Sequence, residues 1–414
     1  MRFVRTSEAA LVTRLASRNV WRHKARTGMT LGAICFGVIA MILSGGFVQD
    51  VYVQLGEAVI HSQSGHLQVA KAGYFDAGSR SPEKYLIESL EEERQRLAAV
   101  PGVSEVMARL ALAGLLSNGR SDVPVVGEGV EPGKETELGT YLTIVEGRAL
   151  QDGDQDGALL GYGVARSLNL RPGDPVTLLA STGGGAMNSV DLRVVGVFQS
   201  FSRDYDARAV RVPLRAAQDL LATGGANVLV VSLWRTPDTL PVARQLRADT
   251  SERRLEVRTW QDLNDFYAKT VELYDRQFGV LQLIIFAMVL LSVTNTVNMT
   301  VFERLGEFGT MRALGNRGGD IFVLVLAESA LLGVAGALLG VIAGVALAWL
   351  ISAIGIPMPP PPNADIGYTA QIRLVPGVVA VAFLVGVLAT VLASIFPALR
   401  VARGSVADAL RQNA

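Results

Sequence analysis

Four stretches of this chain are nearly free of charge and long enough to cross a bilayer, which takes roughly 20 helical residues. The first lies between Arg26 and Asp50 and the second between Arg276 and Glu303. The third follows Asp320 and runs to about Ile356, with Glu328 as its one interruption, and the fourth lies between Arg373 and Arg400. In hydrocarbon a backbone has to satisfy its own hydrogen bonds, so all four read as helices. At about 1.5 Å per residue the third overshoots a single straight span. Its first turns therefore read as interfacial, with the span itself starting near Glu328.

Charge is sorted around these stretches, although the formal net charge is zero. Residues 1–27, 303–320 and 400–414 together hold 13 Lys or Arg against 5 acids, whereas 50–276 holds 24 basic and 31 acidic residues. Lys and Arg beside a span stay on the cytoplasmic side. The pattern predicts a multi-pass inner-membrane protein with both termini cytoplasmic. Its parts are a cytoplasmic amphipathic entry helix at 1–27, transmembrane helices at 28–49 and 277–302, and an extracytoplasmic domain with its stalk at 50–276. A cytoplasmic coupling loop or helix follows at 303–320, then an interfacial segment with the third span at 321–356. An extracytoplasmic Pro-rich loop at 357–373, a fourth span at 374–399 and a cytoplasmic tail at 400–414 complete the chain. The first span is preceded by too long a charged leader for a secretory signal, and an uncleaved anchor is expected. Within 8–24, Leu11, Val12, Leu15, Ala16 and Val20 share a face opposite Arg14, Arg18 and Arg22, the pattern of a helix lying in the membrane interface.

The segment 50–276 reads as mixed α/β. Strand-like runs occur at 66–70, 123–127, 175–180, 191–198 and 227–234, and helix-like runs at 83–99 and 213–222. Val51 to Ile60 continues helically out of the first span, and Trp260 to Arg276 leads helically into the second, so these two form a stalk. The fold class is an α-helical membrane protein with four transmembrane helices and a mixed α/β extracytoplasmic domain.

Several kinds of chemistry are absent. The only Gly-Lys pair, Gly133-Lys134, is followed by Glu135 and lacks a phosphate-cradling loop. Leu43-Ser44-Gly45-Gly46 looks like part of an ATPase signature but lies at the end of the first span, where no nucleotide reaches. No Ser-His-Asp or paired-carboxylate arrangement is legible, and one cysteine, Cys35, excludes an intramolecular disulfide. The turn Asp152 to Asp156 lacks the glycine and terminal glutamate of a calcium loop. His23, His61 and His66 are too scattered for a metal site, and no carboxylate pattern accompanies the last two. The chain is expected to be non-catalytic, with no cofactor or nucleic-acid partner of its own.

Three features stand out inside the apolar stretches. Gly336, Gly340 and Gly344 form a small-residue stripe on one helix face, which admits another helix at close range, and Gly28 and Gly32 begin the first span similarly. Glu328 reads as a structural charge near the cytoplasmic interface, paired with Arg304 or Arg312. In 303–320, charges alternate in sign, and Phe308, Met311 and Leu314 make an apolar edge of the kind that seats in a partner's groove.

The run from Asn295 through Glu303-Arg304-Leu-Gly-Glu307-Phe308-Gly309-Thr-Met311-Arg312-Ala313-Leu314-Gly315, with Ile321 and Glu328-Ser329 beyond, resembles the signature of the FtsX-type permease module shared by MacB and the Lol lipoprotein-releasing permeases. Phe396-Pro397-Ala398 with Ala409-Leu410-Arg411 is similar to that module's ending. Leu15 to Thr27 resembles its entry into the first span, and Glu146-Gly147-Arg148 and Gly161 to Asp174 resemble the periplasmic domain. The resemblance implies a porter-like subdomain with an inserted second one. It also implies mechanotransmission: a separate cytoplasmic ABC ATPase dimer, which binds the ATP and Mg, pushes on a coupling helix, and motion passes to the outer domain. Arg304, Glu307, Phe308, Met311, Arg312, Leu314 and Gly315 are the implied ATPase-coupling residues. Implied partners are a second permease copy or a homologous permease, membrane lipid, and a periplasmic carrier or adaptor. Three functions fit: extraction of a lipid-linked or amphiphilic substrate as in lipoprotein release, MacB-like peptide or drug efflux, and FtsX-like control of an extracytoplasmic enzyme.

Overall fold

The computed structural model describes residues 24–78, 82–138, 142–200, 202–250, 253–359 and 367–403. The entry helix expected before the first span, Pro360 to Pro362 and the tail beyond 403 lie outside the described residues. The chain begins with α1 (Lys24–Val59), which closes in a π-helical turn at Ile60–Ser64. There follow β1 (Leu67–Lys71), α2 (Leu90–Ala98), β2 (Val103–Ser117), β3 (Asp122–Val130), α3 (Pro132–Leu138) and β4 (Thr143–Gly147). Next come β5 (Gly157–Gly161), α4 (Tyr162–Leu168), β6 (Pro175–Ser181), β7 (Met187–Gln199), α5 (Arg203–Asp206) and β8 (Ala209–Pro213). The α/β part ends with α6 (Leu214–Leu221), β9 (Val228–Leu233), α7 (Thr239–Thr250) and β10 (Leu255–Thr259). Then α8 (Asp265–Glu303), α9 (Leu305–Ala313), α10 (Gly318–Ile354), β11 (Ile356–Met358), β12 (Tyr368–Ala370) and α11 (Pro376–Arg403) complete the described chain.

Among the described residues four helices, α1, α8, α10 and α11, are long and apolar enough to cross a membrane. The third stretch is one unbroken helix from Gly318 to Ile354, with Glu328 in its third turn. Trp260 is not helical as the sequence suggested. It lies in the turn after β10, and α8 starts only at Asp265.

The residues fall into two compact units, a helical one and an α/β one. In the helical unit α1 is the central helix. Ile34, Val38 and Ile42 make a ridge on it, and the α10 glycines lie over that ridge. A Cβ on Gly336 would stand 3.0 Å from Ile34, one on Gly340 2.7 Å from Val38, and one on Gly344 3.0 Å from Ile42. Gly386 of α11 approaches Val38 from another side, where a Cβ would come within 2.7 Å, and Gly37 leaves room for Val289 of α8. Gly28 and Gly32, by contrast, meet nothing within 4 Å. On α8 the stripe Val289, Val293, Val297 and Val301 is buried, while Leu283, Met288 and Leu291 are exposed.

Where α10 gives way to α11, a three-residue staple closes against α1. Asp50, fully buried, accepts from Arg373 Nε at 2.9 Å and from the Gln371 N–H at 2.9 Å. The Ser352 hydroxyl bonds both backbone groups of Ile372. The Arg373 N–H reaches the carbonyl of Gly46, where a Cβ would stand 2.7 Å from the Arg373 oxygen. Past the spans, Tyr52 of α1 donates to Asp275 of α8 at 2.6 Å, and Phe47 meets Phe278 with ring centroids 6.5 Å apart.

The α/β unit holds one sheet in the order β10-β1-β9-β2-β3-β8-β5-β7-β4, with β6 pairing both β2 and β7. The expected strands coincide with β1, β3, β6, β7 and β9; β2, β4, β5, β8 and β10 were not foreseen. Strand β2 serves two lobes. It pairs β9 as far as Arg109 and β3 from Leu110 onward. Its first half joins the core under α7 (Leu67, Val106, Leu229, Val242, Leu246), and its second half joins the core under α4 and α6 (Leu112, Leu116, Leu160, Leu178, Leu220).

At the head of β1, His66 is 2% exposed. Its Nδ1 accepts the Leu233 N–H at 3.2 Å, so Nδ1 carries no proton, and Nε2 faces the Thr236 hydroxyl at 3.3 Å. Thr236 in turn donates to Glu57 at 2.7 Å, and Glu57 pairs with His61 at 3.2 Å. Glu57 lies one turn before His61 on α1 and forms an ion pair with it rather than a metal-ligand cluster. Burial, and then the neighbouring His61, push His66 down to about 4 from the ordinary 6.5. Between those values the unfolded chain binds the extra proton, so stability is full above pH 6.5 and declines as pH falls toward 4, by up to about 1.4 kcal/mol per pH unit. Thermal unfolding of the full chain in detergent from pH 7.5 to 4.5 should show this decline. His66→Asn should flatten it, and an unaltered slope in the variant would assign it to other groups.

Candidate functional site: the coupling segment

The short connection between α8 and α10 has its limits set by three residues. Arg304 departs from helical geometry (φ −98°, ψ 12°) and separates α8 from α9. Gly315, at φ +102°, takes a left-handed conformation that suits glycine, and the turn there lets the Asn316 N–H reach the Met311 carbonyl at 3.1 Å. Asp320 then accepts the Arg317 N–H at 2.8 Å and caps α10.

Arg304 organises the interior of this site. It is 6% exposed and grips Glu328 of α10 with two prongs, Nη1 to Oε2 at 2.6 Å and Nη2 to Oε1 at 3.3 Å. Its Nε meets Glu307 at 2.9 Å, and its guanidinium lies over the Phe308 ring at 5.0 Å. Of the two partners considered for Glu328, Arg304 is placed directly against it. The pair makes α9 and α10 neighbours through a charge-assisted, bidentate contact.

The apolar edge read from the sequence divides. Phe308 is 2% exposed and belongs to the core of the helical unit, with Met311 packed partly against the same core. Leu314 is 82% exposed. Steps of three on a helix drift by about 60° each, so residues six apart point about 120° from one another. Phe308 is therefore a seat within the chain, and the surface open to a partner is the tip around Ala313, Leu314, Gly315, Asn316 and Arg317, all exposed. Arg312 is half-buried beside it. The sequence reading missed the staple at Asp50 and the glycines Gly37 and Gly386; the lone Asp50 and Arg373 at opposite borders of two apolar stretches were the available signal. Among the described residues no group of His, Cys, Asp or Glu is arranged to hold a metal ion.

Comparison with known proteins matches residues 27–248 to the MacB-like periplasmic core domain and residues 279–406 to the FtsX-like permease C-terminal domain. An uncharacterised ABC transporter permease of Methanocaldococcus jannaschii is 25% identical over 90% of this chain and 92% of its own length. The lipoprotein-releasing system transmembrane protein LolC of Neisseria meningitidis is 24% identical, over 79% of this chain and 78% of its own. The pyoverdine export ATP-binding/permease protein PvdT of Pseudomonas aeruginosa is 26% identical over 84% of this chain, which spans 52% of that protein.

The Arg304–Glu328 pair yields a double-mutant test. Arg304→Met alone should destabilise the chain by about 3–5 kcal/mol, because it leaves a buried carboxylate uncompensated. Combining it with Glu328→Met should recover most of that loss. Chemical unfolding of the single and double variants in detergent measures both, and additive losses would show that the two side chains act independently.

Proposed function

Since this chain belongs to the FtsX-like ABC transporter permeases that carry a MacB-like periplasmic core domain, we propose that a separate cytoplasmic ATPase dimer drives it through the exposed tip at 313–317. Two such permeases, either two copies or one copy with a homologue, stand over the ATPase pair, with both termini cytoplasmic. Closure of the ATPase on ATP presses the tip. Arg304 and Glu328 pass the displacement from α9 to α10, and the glycine contacts pass it to α1. The α/β domain lies on the extracytoplasmic side, and its movement detaches a lipid-linked or amphiphilic substrate from the outer leaflet. A soluble periplasmic carrier receives it.

The observation that carries this reading is the contrast along α9 and its C-cap: the inner face of α9 is built into the helical unit, while the capping Leu314 stands 82% exposed. An exposed leucine at the C-cap of a nine-residue helix, beside a tight turn, suits a shallow apolar groove in a partner. For the substrate class, support comes from the similarity to the lipoprotein-releasing permease, which covers 79% of this chain and 78% of that protein. The charge sorting of the sequence supports the orientation.

Leu314→Asp should leave expression and thermal stability intact while copurification of the ATPase drops roughly tenfold or more, since a carboxylate forced into an apolar seat costs on the order of a few kcal/mol. In spheroplasts carrying the ATPase and a periplasmic carrier, the wild-type chain should release a radiolabelled lipoprotein and the variant should not. ATPase binding without any lipoprotein release by the wild type would remove the lipid-linked substrate and favour export of a soluble one. Undiminished copurification with Leu314→Asp would remove the tip.

A further inference from the structure

The π-helical end of α1 is held by two buried arginines that the coupling mechanism has not used. Helices end in carbonyls without an intrahelical donor. Here Arg211 Nη2 donates to the Ser62 carbonyl at 2.9 Å, and Arg109 Nη1 donates to the Gln63 carbonyl. The arginines are 2% and 4% exposed. Two carboxylates balance them. Glu135 accepts from Arg109 through Nε at 2.5 Å and Nη2 at 2.8 Å, and stands 3.5 Å from Arg211 Nη1. Glu128 lies 3.4 Å from Arg211 Nε and 3.8 Å from Arg109, and accepts from the Tyr205 hydroxyl at 3.3 Å. Burial opposes the charge on Glu135, but the two guanidiniums outweigh it and hold that carboxyl below the usual range.

The placement of these residues is informative. Arg109 is the residue of β2 at which pairing passes from β9 to β3, the boundary between the two lobes. Arg211 is on β8 and Glu128 on β3, both in the second lobe, and Glu135 is on α3. That short helix is tied back to the first lobe, because Lys134 donates to the Val106 carbonyl and Glu131 accepts the Ala108 N–H. The end of α1 thus meets both lobes at their boundary. A merely adhesive contact would be served as well by apolar packing, since buried ion pairs repay little of their desolvation. Guanidiniums aimed at successive carbonyls fix something further, namely the axial position and rotation of the helix end against two strands.

We propose that Arg109 and Arg211 are the positioning residues of a three-way joint that converts displacement of α1 into a change of angle between the two lobes of the α/β domain. The inference rests on the reading that an ATPase drives this chain. Lysine in either position keeps the charge but loses the fork that holds a carbonyl and a carboxylate together.

The test uses the full chain with its ATPase in nanodiscs, in a Cys35→Ala background with spin labels on cysteines at Ala98 of α2 and Ser167 of α4. In the otherwise unaltered chain, trapping the ATPase with vanadate should shift the distance between the labels. Arg109→Lys and Arg211→Lys should retain ATPase binding and ATP turnover, lose that shift, and reduce substrate release roughly tenfold, within the range of known coupling energies. If those variants do not fold, Glu128→Gln, which keeps the carbonyl contacts, is measured in the same way and should weaken the shift. A shift and a release rate equal to wild type in the folded variants would overturn the joint. So would labels that stay still in the wild type while ATP-driven release proceeds, and in that case the functional reading survives. An ATPase that does not bind the wild-type chain at all overturns both.

Discussion

The close approach of α1 to its neighbours is the contact on which the helical unit depends. In lipid there is no hydrophobic drive between helices, so association relies on packing at short range and on the absence of intervening side chains. Ile34, Val38 and Ile42 supply the ridge, and Gly336, Gly340, Gly344 and Gly386 supply the surfaces that lie against it. The same helix carries Asp50, whose carboxylate holds the segment before α11, and Tyr52, which reaches α8. α1 is continuous from Lys24 to Val59, and its last turns run into the π-helical turn at Ile60–Ser64.

Those last turns end in an unusual way. A helix end normally finishes in solvent or under a cap, whereas Ser62 and Gln63 direct their carbonyls into a balanced set of two cations and two anions. Arg304 likewise holds several groups at once, bonding Glu307 of α9 and Glu328 of α10. Both places put arginine where one side chain must hold two or three groups at fixed angles, which the planar guanidinium does better than an ammonium.

The spans were legible because charge is so costly in hydrocarbon that its absence over a long run marks a helix. Strands such as β6 and β7 were legible through alternating β-branched residues. The sequence of β2, rich in Ala and Leu, has helical propensity, and only pairing with β9, β3 and β6 makes it extended. Glycine spacing indicated a helix contact on α10 but could not indicate that Gly28 and Gly32 face open space, since that depends on which helices come alongside. Phe308 and Leu314 lie in one short segment, yet which of them points inward and which outward needed the backbone. The arginine pair 109 and 211 had no sequence signal, because its partners are brought together by the fold from distant positions.

The pairing of β1 with both β9 and β10 has a consequence for biosynthesis. Leu67 lies opposite Val231 and also opposite Thr259. The first strand of this sheet to leave the ribosome is therefore flanked on both sides by the last two strands of the same sheet, and its edges stay open while the intervening residues are made. Loop closure over such distances is slow, and unpaired edges invite wrong partners. The nascent α/β domain thus has to be kept from association until the chain has passed residue 259, shortly before α8 begins. Its folding and the insertion of the second membrane helix are, by this topology, consecutive events in a fixed order.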